Sequence, residues 1–252
     1  ELIHVESLTE LERLGRLLEH GERHQDILLR MNIRTDNLPS TSLTMGGAPT
    51  PFGIDPDDLE ACLDILAHQP RIKLRGFHFH LVSHQLDAEA HLRLLNDLFH
   101  HVEQWRKLYR LDIDQINVGG GIGINYREPS RQFDWAGFCQ ALAQQLADPR
   151  LERYRIRFEC GRYLTAPCGY YAMEVMDLKR NHGQWFAVCR GGTHHFRTPA
   201  AQGHSHPFVH LPGHDGEKGL TDTPVTVVGQ LCTPKDVLAR QVDMTRLAIG
   251  DM

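Results

Sequence analysis

Three short stretches hold side chains whose types and spacing suit chemistry. The first, INVGGGIGINY from Ile116 to Tyr126, sets Gly119, Gly120 and Gly121 directly after an apolar run that reads as a buried strand. Glycines at the C-terminal end of a parallel strand leave backbone N–H groups uncovered, and such groups donate well to a phosphate. A tight strand-to-helix turn would ask for the same residues. The second, RIRFECGRY from Arg155 to Tyr163, alternates apolar and charged residues and ends in Glu159, Cys160, Gly161 and Arg162. Arg162 offers a charged donor to a phosphate, and Glu159 a carboxylate for a protonated ring nitrogen on the same ligand. The alternative is an ordinary Glu–Arg ion pair. The third, GFHFHLVS from Gly76 to Ser83, puts His78 and His80 on one strand face and Phe77, Phe79 and Leu81 on the other, with His80 nearer the C-terminal rim. Histidines at i, i+2 also suit zinc, but the sequence offers no third ligand of comparable placement, and no metal is expected.

Such residues need a sheet to bring them together. From residue 1 to about 160, short apolar runs alternate with segments of helical period, the pattern of β-α units on a parallel sheet. Strands are predicted at Leu2–Val5, Ile27–Ile33, Gly76–Leu81, Gln115–Gly119 and Arg155–Glu159. Ser7 to Glu10 resembles a capping box before Leu11, Leu14 and Leu18, with Gly21 closing that helix. Asp55 and Pro56 offer an N-cap and a first-turn proline before Leu59, Leu63 and Leu66. Leu92, Leu95, Phe99 and Val102 stripe the longest helix, and Trp135, Phe138, Leu142 and Leu146 the last. After about 165 the pattern turns mostly β, with strand-like runs at Tyr170–Leu178, Trp185–Cys189 and Val225–Leu231 and an extended connection over Thr198–Thr223. The expected organisation is a β/α region over 1–165 and a β domain over 166–252. Five β-α units do not close an eight-stranded barrel, so the alternatives are an open α/β sheet or a barrel whose first strands precede Glu1. The abrupt start inside a strand favours the second.

Composition narrows the partners. Among 252 residues, 27 Lys and Arg face 32 Asp and Glu, a net charge of −5, with no block of like charge to suit nucleic acid or a membrane surface. A small molecule is the expected partner. The six cysteines form no CxxC pair, which fits a reducing cytoplasm. No apolar run reaches the length of a membrane span, and the first residues do not resemble a signal peptide.

The motifs GFHFHLVSH, INVGGGIGINY, FECGRYL and VVGQLCTPKD, in that order and across essentially the whole chain, resemble the fold-type III pyridoxal-phosphate decarboxylases of diaminopimelate, ornithine and related amino acids. The resemblance implies an alanine racemase-like (β/α)8 TIM barrel followed by a β domain, with pyridoxal 5'-phosphate as cofactor. It makes Gly119, Gly120, Gly121, Gly161 and Arg162 the phosphate cradle and Ser83 a nearby polar contact. Glu159 then faces the pyridine nitrogen, keeping it protonated so that the ring accepts the electrons released with CO2. By the same resemblance His80 stacks on the cofactor face, while Cys232 reaches the site of a partner subunit and helps protonate the carbanion, which implies a homodimer with shared active sites. The family's cofactor-anchoring lysine sits in an early barrel strand, a context that Lys73, Lys107, Lys179, Lys218 and Lys235 do not match. The lysine and the first three β-α units are therefore expected upstream of Glu1, and a further strand after Met252. If nothing precedes Glu1, the resemblance speaks of ancestry, and a cofactor-binding protein without turnover is the alternative.

Departures from the family pattern bear on the substrate. Val82 replaces a glycine, Cys160 a proline, and Pro51 stands where many relatives have a basic residue. Thr233, after Cys232, occupies a position where diamino-acid decarboxylases commonly carry an acid, and a hydroxyl pairs poorly with a buried ammonium. With Asp236 it is assigned to the substrate site, and the distal end of the substrate is expected not to be a free amine. His194, His195 and Arg197, with His204 and His206 beyond them, form a group suited to carboxylates. This resembles the siderophore branch of the family, the decarboxylases of staphyloferrin B, achromobactin and vibrioferrin assembly, which act on an amino acid already joined to citrate or a similar acid. The alternatives are a solvated loop, a decarboxylase of free amino acids, or a zinc hydrolase using His78, His80 and His84.

Overall fold

Apolar runs alternating with helical stripes can bury both only by laying helices on a sheet, and residues 1–166 do so. The computed structural model describes residues 1–20, 22–38, 45–213 and 219–252; Gly21 and Lys218 lie outside the described residues. The chain divides into two compact units, 1–125 with 131–166, and 126–130 with 167–252.

In the first unit the elements run β1 (Leu2–Val5), α1 (Leu8–Leu18), β2 (Gln25–Arg30), α2 (Leu59–Ala67), β3 (Ile72–His78), α3 (Ala88–Leu108), β4 (Gln115–Asn117), α4 (Trp135–Leu146), β5 (Arg155–Arg157) and the short α5 (Gly161–Thr165). The five strands are all parallel and lie in sequence order. Side-chain caps start the helices. Ser7 Oγ accepts the Glu10 N–H at 3.1 Å, while the Glu10 carboxylate takes the Glu6 N–H at 2.7 Å, one residue before the position of a standard capping box. Asp87 and Asp134 accept the N–H groups of Ala90 and Gly137 at 3.0 Å. Asp55 and Pro56 open a 3-10 turn, Pro56–Asp58, that leads into α2. Leu11, Ile27, Leu29, Phe77, Phe79, Leu95, Val102, Ile116 and Phe138 form the centre of the core.

Strand β1 has its predicted bounds, whereas β2 to β5 end two or three residues earlier than the apolar runs predict, and β3 begins at Ile72 rather than Gly76. The last rung of the sheet pairs Arg30, His78, Asn117 and Arg157. Beyond it, single backbone bonds continue, from Phe79 N to Asn117 O (2.8 Å), Val118 N to Arg157 O (3.0 Å) and Glu159 N to Gly119 O (2.7 Å). The chemistry-bearing residues sit on these pinned segments just past the strands. The sheet is also curved: β1 and β5 are its edges, yet His4 on β1 lies 3.8 Å from Glu159 after β5. Edges of a flat five-stranded sheet would be about 19 Å apart, four spacings of roughly 4.8 Å, beyond the reach of two side chains.

The second unit holds β6 (Val175–Asn181), β7 (Gln184–Cys189), α6 (Thr198–Gln202), β8 (Leu220–Val228) and β9 (Val237–Leu247). Its sheet is mixed: β6–β7 and β8–β9 are antiparallel, β7–β8 parallel. The β6–β7 hairpin turns on His182 and Gly183, both with positive φ (44° and 82°), as a two-residue hairpin turn requires. Strand β9 is absent from the sequence-based expectations because the register shifts opposite Val225/Val227 and Val227/Val228 of β8 each place an extra residue in β9 and break its alternation. The stretch from Tyr170 to Glu174 lies before the strand rather than in it, with Tyr170 almost fully exposed. The expected extended connection over Thr198–Thr223 contains α6 and the start of β8, and its residues 214–218 lie outside the described residues.

Candidate functional site

The ends of β1, β3, β4 and β5 converge on one carboxylate. Asn117 Nδ2 donates to Glu159 Oε1 at 2.9 Å; His78 Nε2 and His4 Nδ1 lie 3.6 and 3.8 Å from the same oxygen, and His80 Nδ1 lies 3.8 Å from Oε2. His4 and His78 stack, with ring centroids 4.2 Å apart and planes at 27°. The His78 and His80 rings, with Asn117, hold the Glu159 carboxyl far below the usual carboxylate range, against the opposing effect of burial. Burial, together with the neighbouring His78, pushes His4 down, toward the neutral ring. Glu159 is therefore an anion whose side chain keeps 40% of its surface exposed, among imidazoles on its inner side. His4 and Asn117 were not singled out from the sequence. Asn117 was legible as the last strand residue before the glycines; His4 joins only through the curvature of the sheet.

At the glycine turn the backbones of neighbouring segments come close. A Cβ on Gly119 would strike the Phe79 carbonyl and His80, one on Gly120 the Glu159 carbonyl, and one on Gly121 the Val82 carbonyl. These glycines let backbones approach. Two of their N–H groups are also engaged: Gly119 N donates to Asn117 Oδ1 at 2.9 Å and Gly120 N to His80 Nδ1 at 3.3 Å. Gly161 differs, since a Cβ there would meet open space, although its N–H donates to Glu159 O at 2.8 Å. Arg162, expected to bind an anion, has a buried Nη1 without a hydrogen-bond partner and makes no ion pair with Glu159. Ser83 lies half-buried in the bend after β3.

In the second unit Cys232 and Thr233 are exposed on the turn before β9, where Thr233 Oγ1 accepts the Lys235 N–H at 3.3 Å. Asp236 departs from its expected place facing substrate. It is 2% exposed, and its carboxylate accepts the Thr193 N–H (2.6 Å), the Thr193 hydroxyl (2.8 Å) and the Leu231 N–H (2.9 Å). Burial works against its charge, but those donors hold the carboxyl below the usual range. Asp236 is thus a positioning residue that joins the 190s segment to the 230s turn. On that segment His194, His195 and Arg197 are exposed; the His194 and His195 rings lie 3.9 Å apart, and Tyr171 Oη lies 3.0 Å from His195 Nδ1. His206 packs among Tyr126, Phe196 and His204, and burial beside His204 pushes it down to about 4. It is neutral at pH 7 and offers a carboxylate no charge. A cavity of about 790 Å³ in this unit is lined by Arg127, His204, His206, His210 and Arg246, with Asp243 among them.

Residues 1–166 match the family described as Pyridoxal-dependent decarboxylase, pyridoxal binding domain. The 2-[(L-alanin-3-ylcarbamoyl)methyl]-2-hydroxybutanedioate decarboxylase of Staphylococcus aureus is 40% identical over 99% of this chain and 64% of its own length. The diaminopimelate decarboxylase of Bacteroides thetaiotaomicron is 28% identical over 98% of this chain and 63% of its own. In fold the chain is similar to diaminopimelate decarboxylase from Helicobacter pylori complexed with L-lysine, with a TM-score of 0.81 at 21% identity, covering 98% of this chain and 60% of that one. The chain spans less than two thirds of the length of these relatives. The glycine turn, the half-buried arginine and the carboxylate among imidazoles thus fall within the matched residues 1–166, and the chain belongs to the pyridoxal-dependent decarboxylase family.

Proposed function

We propose that the protein decarboxylates an amino acid conjugated to citrate or a similar polycarboxylate, as a cytoplasmic homodimer in carboxylate siderophore biosynthesis. The observation that carries this reading is the 40% identity, over 99% of the chain, to a decarboxylase whose substrate is an alanine-bearing hydroxybutanedioate. Thr233 supports it, since a neutral hydroxyl suits a substrate without a distal ammonium. The exposed Arg197, with His194 and His195, supplies donors for carboxylates. Parallel strands in sequence order on a curved sheet support reading the first unit as part of a (β/α)8 barrel.

The residues present fit pyridoxal phosphate. The buried, partnerless Nη1 of Arg162 and the open side of Gly161 suit its phosphate, and the half-exposed Glu159 carboxylate suits its ring nitrogen. When bound, the coenzyme supplies a ring that accepts the electron pair released as CO2 departs. Glu159, kept ionised by its imidazole neighbours, holds a proton at the ring nitrogen, and Asn117 fixes the orientation of that carboxylate. His80 lines the ring's face, anchored by the Gly120 N–H. Cys232, reaching the site of a second copy, carries the thiol that returns a proton to the substrate carbon. Gly119, Gly120 and Gly121 serve by close packing that sets His80 and Glu159 in place, and Ser83 adds a polar group near the phosphate.

The test compares CO2 release by the full-length protein from the citrate amide of 2,3-diaminopropionate and from meso-diaminopimelate. A larger kcat/KM for the amide is expected. Equal or better turnover of diaminopimelate would overturn the assigned substrate class.

A further inference from the structure

We propose that His4, His78 and Glu159 form a binding site for a divalent transition-metal ion of the zinc type, which occupies the pyridoxal site in place of the coenzyme. Among the described residues these three are the one group of His, Cys, Asp and Glu whose ligand atoms gather closely, all within 4.8 Å of one another. Two imidazoles and a carboxylate are the donor set of many three-ligand zinc sites, which leave a fourth position to water. Magnesium and calcium prefer oxygen donors and are disfavoured here.

The spacing is nearly that of a formed site. Zinc bonds of about 2.0–2.1 Å at tetrahedral angles separate ligand atoms by about 3.3 Å. Glu159 Oε1 lies 3.6 Å from His78 Nε2 and 3.8 Å from His4 Nδ1, so movements of a few tenths of an ångström bring the carboxylate to each ring, and the two ring nitrogens, within 4.8 Å of each other, close by side-chain rotation. The second observation concerns His78 alone. Its side chain is only 6% exposed, and both ring nitrogens are buried without a hydrogen-bond partner. A buried donor or acceptor left unsatisfied is costly, and a metal bond to Nε2 would remove that cost at one of them. Asn117 Nδ2 already holds Oε1 at 2.9 Å, as an outer-shell donor holds a metal-bound carboxylate. The exposed side of Glu159 leaves room for a water ligand. His80 stays outside the set, facing the other oxygen, Oε2, and accepting the Gly120 N–H.

This carboxylate is also the one assigned above to the ring nitrogen, so the exclusion of coenzyme by metal rests on that reading, whereas metal binding itself does not. The experiment uses the full-length protein, stripped of coenzyme by hydroxylamine and dialysis. Zn2+ is titrated against a chromogenic chelator, and Co2+ is added separately to record its visible absorption. One zinc per chain and a four-coordinate cobalt spectrum are expected. His4→Ala, His78→Ala and Glu159→Gln should each weaken zinc roughly tenfold or more, while His80→Ala should leave its affinity within about twofold. The cobalt spectrum of the unmodified protein tests the site should His78→Ala not fold. Sub-stoichiometric zinc, a six-coordinate cobalt spectrum, or affinity indifferent to all three substitutions would overturn the site. Adding pyridoxal phosphate should displace the zinc and restore coenzyme absorbance. Equal zinc affinity with and without bound coenzyme would overturn the exclusion. Zinc binding in a protein that never takes up coenzyme would sink the cofactor reading and leave the metal site standing.

Discussion

Glu159 gathers its neighbours because a carboxylate at the end of one strand is reached by rings from two others, and its charge is what those rings stabilise. Replacing it by glutamine keeps the shape and removes the charge. Turnover of the full-length enzyme should fall by orders of magnitude while the coenzyme dissociation constant changes little; a variant that turns over normally would remove Glu159 from its electronic role. Arg162→Ala should instead weaken coenzyme binding about tenfold or more, since a charged hydrogen bond contributes about 1.5–3 kcal/mol. Fluorescence titration of the stripped protein would measure it. A third residue acts through stability. His91, on α3, is 1% exposed, packs against Phe133 and Phe138, and is pushed down to about 4 by burial. Its folded value lies below the ordinary 6.5, so the unfolded chain binds the extra proton first as pH falls. The stability it contributes is whole above pH 6.5 and is lost between 6.5 and about 4, by up to about 3 kcal/mol. Urea midpoints of His91→Leu should therefore depend less on pH in that window than those of the parent; identical slopes would exclude the effect.

Helices and strands carry their own predictions. Asp134→Ala removes the side chain that caps α4 and should cost about 1 kcal/mol. Gly76→Ala should cost more, about 1–3 kcal/mol, because its Cβ would enter the Gln115 carbonyl of the neighbouring strand. Thermal melts of the two variants would rank them, and a Gly76→Ala protein as stable as the parent would contradict the close approach of β3 and β4. These elements were the most legible part of the sequence. Alternating apolar runs and helical stripes located all five parallel strands and the four longer helices, and Ser7, Asp55 and the stripe of α3 fixed their order. Strand ends were less legible, because apolar residues continue past the last rung into loops that are still buried, as Phe79 and Val118 are. Strand β9 was hidden by bulges, which destroy the period that reveals a strand. At the site, Glu159, Arg162 and His80 could be read from local motifs, whereas His4 could not, since 74 positions separate it from His78 and only the curved sheet joins them. The triple glycine stays ambiguous in the sequence for a related reason: a missing side chain can serve a ligand or a neighbouring backbone, and the close backbone approach at these positions appears only in the fold.

For the whole molecule, the proposal that Cys232 serves a second copy makes a prediction about mixtures. Cys232→Ala and Glu159→Gln homodimers should each be nearly inactive, and subunit exchange between them should restore up to about a quarter of the activity per mixed population, since such a dimer holds one intact site. A mixture no more active than its components would place both residues in the same subunit's site or deny the dimer. No helix among the described residues is long and apolar enough to cross a membrane. The buried Asp236 has one more consequence. It holds Thr193 and Leu231 at once, and Gly192 and Gly229 lack the Cβ atoms that would collide with it. The stretch bearing His194 and the turn bearing Thr233 are therefore a fused pair. An engineer transplanting either one from a homologue of different specificity would have to transplant both, together with the acid between them.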